Sequence, residues 1–204
     1  APTAPRPFPG LPSPRRARAR IGGAYHGPRA PHLDRFIVSP ASYSLAVTCA
    51  LCQVGRLDGK ATDNYRQDGG SVELWPAPYS PGFETHTGAS AYGLSYAAGV
   101  ALGRKLRGEN GRVWVLVDAS ELESGAAWEA LHLLKRQPLM NLVVILNDAR
   151  MDETPSAAVS GWLSACAPWQ VQEVSGHDPL ELYAATQVYQ HEGPLIIYAR
   201  THPC

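Results

Sequence analysis

Cysteines, long apolar runs and charge of one sign are all in short supply in this 204-residue chain. Four cysteines are too few for a disulfide-stapled scaffold. Cys49-Ala50-Leu51-Cys52 has the spacing of a redox or zinc motif. No second pair accompanies it, however, and its apolar helical surroundings predict buried thiols. Cys166 and Cys204 add no ligand pattern. No signal-type apolar core and no run of 18 apolar residues appears, which argues against secretion and membrane insertion and favours a cytoplasmic protein. Eighteen basic residues balance eighteen acids, so no net field points to nucleic acid as a partner. Internal repeats are absent too. Residues 1–33 contain no Asp or Glu, eight prolines and six arginines. Such a segment has too little apolar surface to offset the entropy of ordering, and it reads as a disordered tail. The run Arg15-Arg16-Ala17-Arg18-Ala19-Arg20 reads first as solvated; a contact with nucleic acid or an acidic surface, or an organelle transit peptide, are the alternatives.

Residues 34–204 have enough apolar content for one domain with its own core. Val113 to Val117 is short, β-branched and bounded by Gly111 and Asp118, the pattern of a buried strand. Glu121 to Leu134 reads as a helix with acids in its first turn, where the helix dipole favours them. Asn141 to Leu146 is a second buried strand, closed by Asn147-Asp148. Strand, helix and strand at this spacing form a βαβ unit with a right-handed crossover. Ser42 to Val54 reads as a further helix, and residues 55–83 as a long irregular stretch around Trp75-Pro76-Ala77-Pro78. A helix over 90–107 should present Leu94, Ala98, Ala101, Leu102 and Leu106 along one face. Two more helix–strand pairs follow, at 155–165 with 169–174 and at 179–190 with 194–199. The predicted fold is a three-layer α/β domain, a mostly parallel sheet flanked by helices, with a ligand cleft at the carboxyl ends of the strands.

The segment from Val113 to Arg150 resembles the diphosphate-binding, N-terminal half of transketolase and of deoxyxylulose-phosphate synthase. Glu121, Leu122, Gly125, Trp128, Glu129, Ala130, Asn141 and Leu142 fall on that family's pattern without a gap. Further matches are Asp34-Arg35-Phe36-Ile37-Val38-Ser39, then Thr87, Gly88, Gly93, Leu94 and Ser95, then Val174-Ser175-Gly176-His177-Asp178 and the final strand at 193–201. The resemblance covers roughly residues 34–201. It implies a thiamine-diphosphate-binding fold of the diphosphate-domain type.

The departures are selective. In the family, an Asp within Gly-Asp-Gly and an Asn after the second strand hold the divalent ion that bridges the phosphates of thiamine diphosphate. In this register those positions are Ala119 and Ala149. A methyl group donates no lone pair, and magnesium requires hard oxygen ligands. The family's Lys-Gly-His after the first strand is replaced by Pro40-Ala41-Ser42, and its Leu-Gly-Gln by Ser90-Ala91-Tyr92. The resemblance therefore implies a scaffold kept and a cofactor anchor lost. Candidate contacts to a cofactor are Gly88, Ser90, Tyr92, Asp118, Ser120 and Asn147. A shifted metal site would fall on Asp118 and Asp148, and His86 is the one candidate acid or phosphate ligand at the cleft. His177 reads as part of a structural turn, with Asp178 as the cap of the next helix.

Three functions are compatible with this pattern. One is a non-catalytic transketolase-like subunit, free of cofactor, that pairs with a separate pyrimidine-domain chain or self-associates. Another is the active half of a split enzyme that transfers a two-carbon ketol unit using thiamine diphosphate and magnesium, with ligands shifted or supplied by a partner. The last is a protein repurposed to bind another small anion through His86, Ser90 and Tyr92.

Overall fold

The computed structural model describes residues 30–201, apart from 64, 66, 68–72, 79, 81, 87, 89, 90, 151–153 and 189–192. Five parallel strands form one sheet: β1 Arg35–Val38, β2 Val113–Asp118, β3 Leu142–Asp148, β4 Val171–Ser175 and β5 Leu195–Arg200. They lie in the order β1-β2-β3-β5-β4. Runs such as Leu142-Val143-Val144 and Leu195-Ile196-Ile197-Tyr198-Ala199 are buried throughout. Parallel strands covered on both faces require this, because neither set of alternating side chains meets water. The edge strand β4 instead alternates between exposed and half-buried residues.

Among the described residues five α-helices accompany the strands: α1 Ser44–Gln53, α2 Tyr92–Leu106, α3 Gly125–Arg136, α4 Ala157–Cys166 and α5 Pro179–Thr186. On one face of the sheet Ile37, Val113, Val115, Val117, Val144 and Leu146 meet Leu94, Ala98, Leu131, Leu134 and Trp162 in the main core. The opposite face presents Trp114, Val143, Leu195 and Ile197 to Ala185 and Leu182 of α5. Asp34 ties the start of the sheet together, with Oδ1 accepting from the Arg112 amide at 2.8 Å and Oδ2 from Trp114 Nε1 at 2.8 Å. The expected tail, through residue 29, lies outside the described residues. Its continuation at residues 31–33 is held against the domain by Arg104, whose Nη2 donates to the carbonyls of Pro31 and Leu33 at 2.9 and 2.8 Å.

Three expectations are corrected. Residues 121–134 do not form one helix: a 3-10 turn over Ala119–Glu123 takes up the first of them, and α3 starts afresh at Gly125. The buried face of α2 is Gly93, Leu94, Ala97, Ala98, Ala101 and Arg104, whereas Leu106 is 79% exposed. Twelve helical residues separate Leu106 from Leu94, which leaves it rotated by about 120° from the core-facing line. The Cys-x-x-Cys thiols are not buried: Cys49 is exposed and Cys52 partly so, while Cys166 sits in the core. Asp178 does cap its helix, accepting from the amides of Leu180 and Glu181.

Leu146 is fully buried and Leu180 is 79% exposed. Leu146→Ala should lower the unfolding free energy by about 2–5 kcal/mol. Leu180→Ala should change it by less than about 0.5 kcal/mol. Urea unfolding followed by circular dichroism reads both, and an equal cost at the two sites would refute the assignment of the core.

Candidate functional site

β2 and β3 finish side by side, with Asp118 opposite Asn147 in register. Beyond β2 the chain turns at once into its 3-10 segment through a reciprocal cap. Asp118 Oδ1 accepts from the Ser120 amide at 2.9 Å, and Glu121 Oε2 accepts from the Asp118 amide at 3.0 Å. The other oxygen of Glu121 reaches across to two further elements. It accepts from Ser39 Oγ just past β1 at 2.8 Å, and from the Ala91 amide at the start of α2 at 2.8 Å. Glu121 is buried, and that burial raises its carboxyl above the ordinary glutamate range, although its amide and hydroxyl donors pull the other way. Ser39 Oγ also accepts from the Gly93 amide at 3.2 Å. A side chain at Gly93 would lie 2.7 Å from Ser39 Cα, so only glycine lets α2 approach the end of β1 this closely.

Between the strand ends sits Tyr43, in the short 3-10 turn that leads into α1. Its hydroxyl donates to Asp118 Oδ2 and accepts from Asn147 Nδ2 at 2.7 Å. Asn147 in turn accepts from Thr201 Oγ1 at 3.0 Å. Burial, and then the hydrogen bond to Asp118, raise the Tyr43 phenol well above its ordinary value. It therefore stays neutral and keeps its proton as a donor. Directly after Asn147, Asp148 accepts from Arg150 Nε at 2.8 Å and Nη2 at 2.6 Å, and from Tyr198 O–H at 2.8 Å. The Arg150 guanidinium holds the Asp148 carboxyl below the usual aspartate range, while burial and Asp148 push the Tyr198 phenol up to about 12.

These contacts place the residues singled out from sequence. Ala119 is buried immediately after β2 and Ala149 is exposed immediately after β3. Asp118 and Asp148, the candidates for a shifted metal site, have their carboxylates engaged by Tyr43 and Ser120 and by Arg150 and Tyr198. Ser120 is exposed and Asn147 lies in the Tyr43 network. Gly88 is exposed, takes a φ of +98° and lies against the ring of Trp75. His86 is exposed, Tyr92 is 60% exposed at the first turn of α2, and Ser90 lies outside the described residues. His177 is exposed in the turn before α5. Among the described residues no group of three His, Cys, Asp or Glu side chains comes together to hold a metal. A magnesium–diphosphate group does not fit these residues: the two positions that the resemblance assigns to its side-chain ligands, Ala119 and Ala149, carry methyl groups, and the adjacent carboxylates are already committed. Tyr43 and Glu121 are the two organising residues that sequence reasoning did not assign to the site. The signal for Tyr43 was an aromatic residue directly after the altered Pro40-Ala41-Ser42.

A parallel α/β sheet with helices on both faces and a polar cluster at its strand ends defines a class of domain built to bind at that edge. Residues 55–174 match the profile of the family described as 1-deoxy-D-xylulose-5-phosphate synthase, and the chain belongs to this transketolase-related family as an N-terminal-half domain. A transketolase family protein of Sinorhizobium fredii is 28% identical over 179 residues, covering 82% of this chain and 64% of that protein. Human transketolase is 29% identical over 181 residues, covering 85% of this chain and 29% of its own length. An apulose-4-phosphate transketolase subunit from Actinobacillus succinogenes is 29% identical over 116 residues, covering 56% of this chain and 42% of that protein. The chain thus spans less than two thirds of these relatives. Among solved structures, transketolase of Leishmania mexicana superposes with a TM-score of 0.61 at 21% identity, over 83% of this chain and 28% of that one. A Pichia stipitis transketolase mutant gives 0.68 at 20% identity, with the same coverage.

Two measurements test the local physics. Ala91 has a φ of +59°, which costs a non-glycine residue about 1–2 kcal/mol. Glycine's greater freedom in the unfolded chain returns about 0.4–1 kcal/mol of that. Ala91 is also fully buried in the core, and losing its methyl costs about 0.8 kcal/mol. The contributions nearly cancel, so Ala91→Gly should change the unfolding free energy by less than about 1 kcal/mol in urea, whereas Ala98→Gly, equally buried within α2, should cost more than that; an equal cost at the two sites would contradict the left-handed assignment. For Asp148, the lowered carboxyl means that its contribution is complete above the unfolded pKa of about 3.9. That contribution disappears as pH falls through the lower folded value, because only the unfolded state binds the proton in between. Arg150→Met removes the main cause, so stability should fall less steeply below about pH 4; an unchanged pH profile would overturn the pairing.

Proposed function

We propose that this chain is a transketolase-like N-terminal subunit that is non-catalytic by itself and associates in the cytoplasm with a separate pyrimidine-domain chain, or with further copies of itself. In this reading residues 34–204 form the diphosphate-type domain, with residues 31–33 held against it by Arg104. The observation that carries it is the Tyr43 hydroxyl set between Asp118 and Asn147. A metal–diphosphate site needs open oxygen ligands at these strand ends. Here the ligand positions are Ala119 and Ala149, and a neutral phenol satisfies the polar groups that remain. Glu121 meanwhile ties the rim together through Ser39 and Ala91. That combination supports an emptied site within a maintained scaffold, with fold and activity separated.

A second reading has its own support. Two relatives are named as subunits of apulose-4-phosphate transketolase, which favours a domain working as one chain of a divided enzyme. An active half of this kind would require a partner to supply metal ligands, or Asp118 and Asp148 to leave Tyr43 and Arg150. The reading as a repurposed anion-binding protein draws less support, since His86 and Tyr92 both face solvent.

Calorimetric titration of thiamine diphosphate with magnesium into the purified chain separates the readings. No heat of binding is expected from the natural sequence, and no ketol transfer between xylulose 5-phosphate and ribose 5-phosphate. Binding should appear in Ala119→Asp/Ala149→Asn, with Tyr43→Ala added to open the gap. Magnesium-dependent binding by the unmutated chain near ~1 μM, about −8 kcal/mol, would overturn the proposal in favour of the divided enzyme.

A further inference from the structure

α1 carries an exposed dithiol that the strand-end site does not use. Cys49 and Cys52 lie three residues apart within Ser44–Gln53, Cys49 exposed and Cys52 partly exposed. Helical rise and radius place such α-carbons about 5 Å apart, inside the range of about 4.4–6.8 Å that a disulfide spans. Both thiols are on one turn of one helix, so bridging them needs rotation of side chains and local adjustment rather than movement between elements. Cys52 Sγ donates to the carbonyl of Asp58 at 3.2 Å. That bond ties the end of α1 to the loop leading into the 3-10 turn at Gly59–Ala61. Cys166 provides the contrast, since it is buried in the core and burial pushes its thiol up to about 12.

We infer that Cys49 and Cys52 form a reversible thiol–disulfide site, oxidised by small-molecule disulfides of the glutathione type, and that oxidation releases the Cys52–Asp58 contact. The Cys49 thiolate attacks one sulfur of the small disulfide, forming a mixed disulfide and expelling one thiolate. Cys52, as thiolate, then attacks the Cys49 sulfur and expels the second. The chain loses two electrons and two protons, and the small disulfide is reduced to two thiols. Closing the ring consumes the Cys52 S–H, so Cys52 no longer donates to the Asp58 carbonyl, which still accepts from the Ala61 amide at 2.9 Å. Burial raises the Cys52 thiol above the ordinary cysteine value, which suits it to the slower, resolving role.

The full chain is equilibrated in glutathione buffers of graded redox ratio, quenched by alkylation and mapped by peptide mass spectrometry. Cys49 and Cys52 should lose alkylation together while Cys166 is unaffected. The bridged peptide should be lighter by two hydrogens, and Cys52→Ser should stop at a stable glutathione adduct on Cys49. Hydrogen exchange at amides 58–61 should rise in the oxidised form and return on reduction. Full alkylation of both thiols in oxidised glutathione, glutathione adducts on the natural chain without ring closure, or a bridge between two chains would each overturn the site. Unchanged exchange at 58–61 in a fully bridged protein would overturn the coupling to Asp58.

Discussion

The carboxylate of Glu121 is the contact on which the strand-end architecture depends. One buried side chain accepts from the Asp118 amide after β2, the Ser39 hydroxyl after β1 and the Ala91 amide before α2. No cation pairs with it in this set of contacts, so its desolvation is offset by fixed donors alone. Desolvation is the larger influence, as the raised carboxyl shows. Even so, losing the group would orphan two buried donors at about 1–3 kcal/mol each, besides the half-buried Asp118 amide. The close approach of Gly93 to Ser39 and the left-handed turn at Ala91 are both framed by this carboxylate. A strained residue persists only where its surroundings over-determine it, and here the Glu121 bond to the Ala91 amide does so.

Two strand ends held this rigidly could present ligands to a cofactor, yet they are used internally. Tyr43 completes a chain of hydrogen bonds from Asp118 through Asn147 to Thr201, which links β2, β3 and the residue after β5. Beside it, Asp148 is closed off by Arg150 and Tyr198. In a low-dielectric edge, polar groups must be satisfied by something. A cofactor's phosphates and metal would do this in an open site; here the protein's own side chains do. This arrangement follows from the topology, because the sheet brings these hydrogen-bond partners to one edge. The same α1 region carries Tyr43 at its entry and the exposed dithiol near its end, so one segment borders both features.

Much of the scaffold was legible from sequence because its signals are local. Val113 to Val117 and Asn141 to Leu146 announce buried strands by composition, and Asp178 before Pro179 announces a helix cap. Errors arose where local pattern and three-dimensional placement part company. Leu106 continues an apolar series but lies beyond the part of α2 that meets the sheet. Cys49 and Cys52 share an apolar run with Leu51, yet only Leu51 turns inward. The break between the 3-10 turn and α3 follows from the Asp118–Glu121 cap, which closes one short segment before Ser124 allows another to begin.

What the sequence determined by itself was the βαβ frame, the family pattern and the two alanines where ligands would be expected. These rest on side-chain periodicity and residue chemistry, and both are written along the chain. Only the tertiary structure decided which side chains meet at the strand ends. Tyr43 meets Asp118 across 75 positions and Asn147 across 104, and Glu121 meets Ser39 across 82. No local propensity encodes such pairings. They arise when parallel strands stop at the same edge and a buried polar group there takes whichever partner the fold delivers within hydrogen-bond reach.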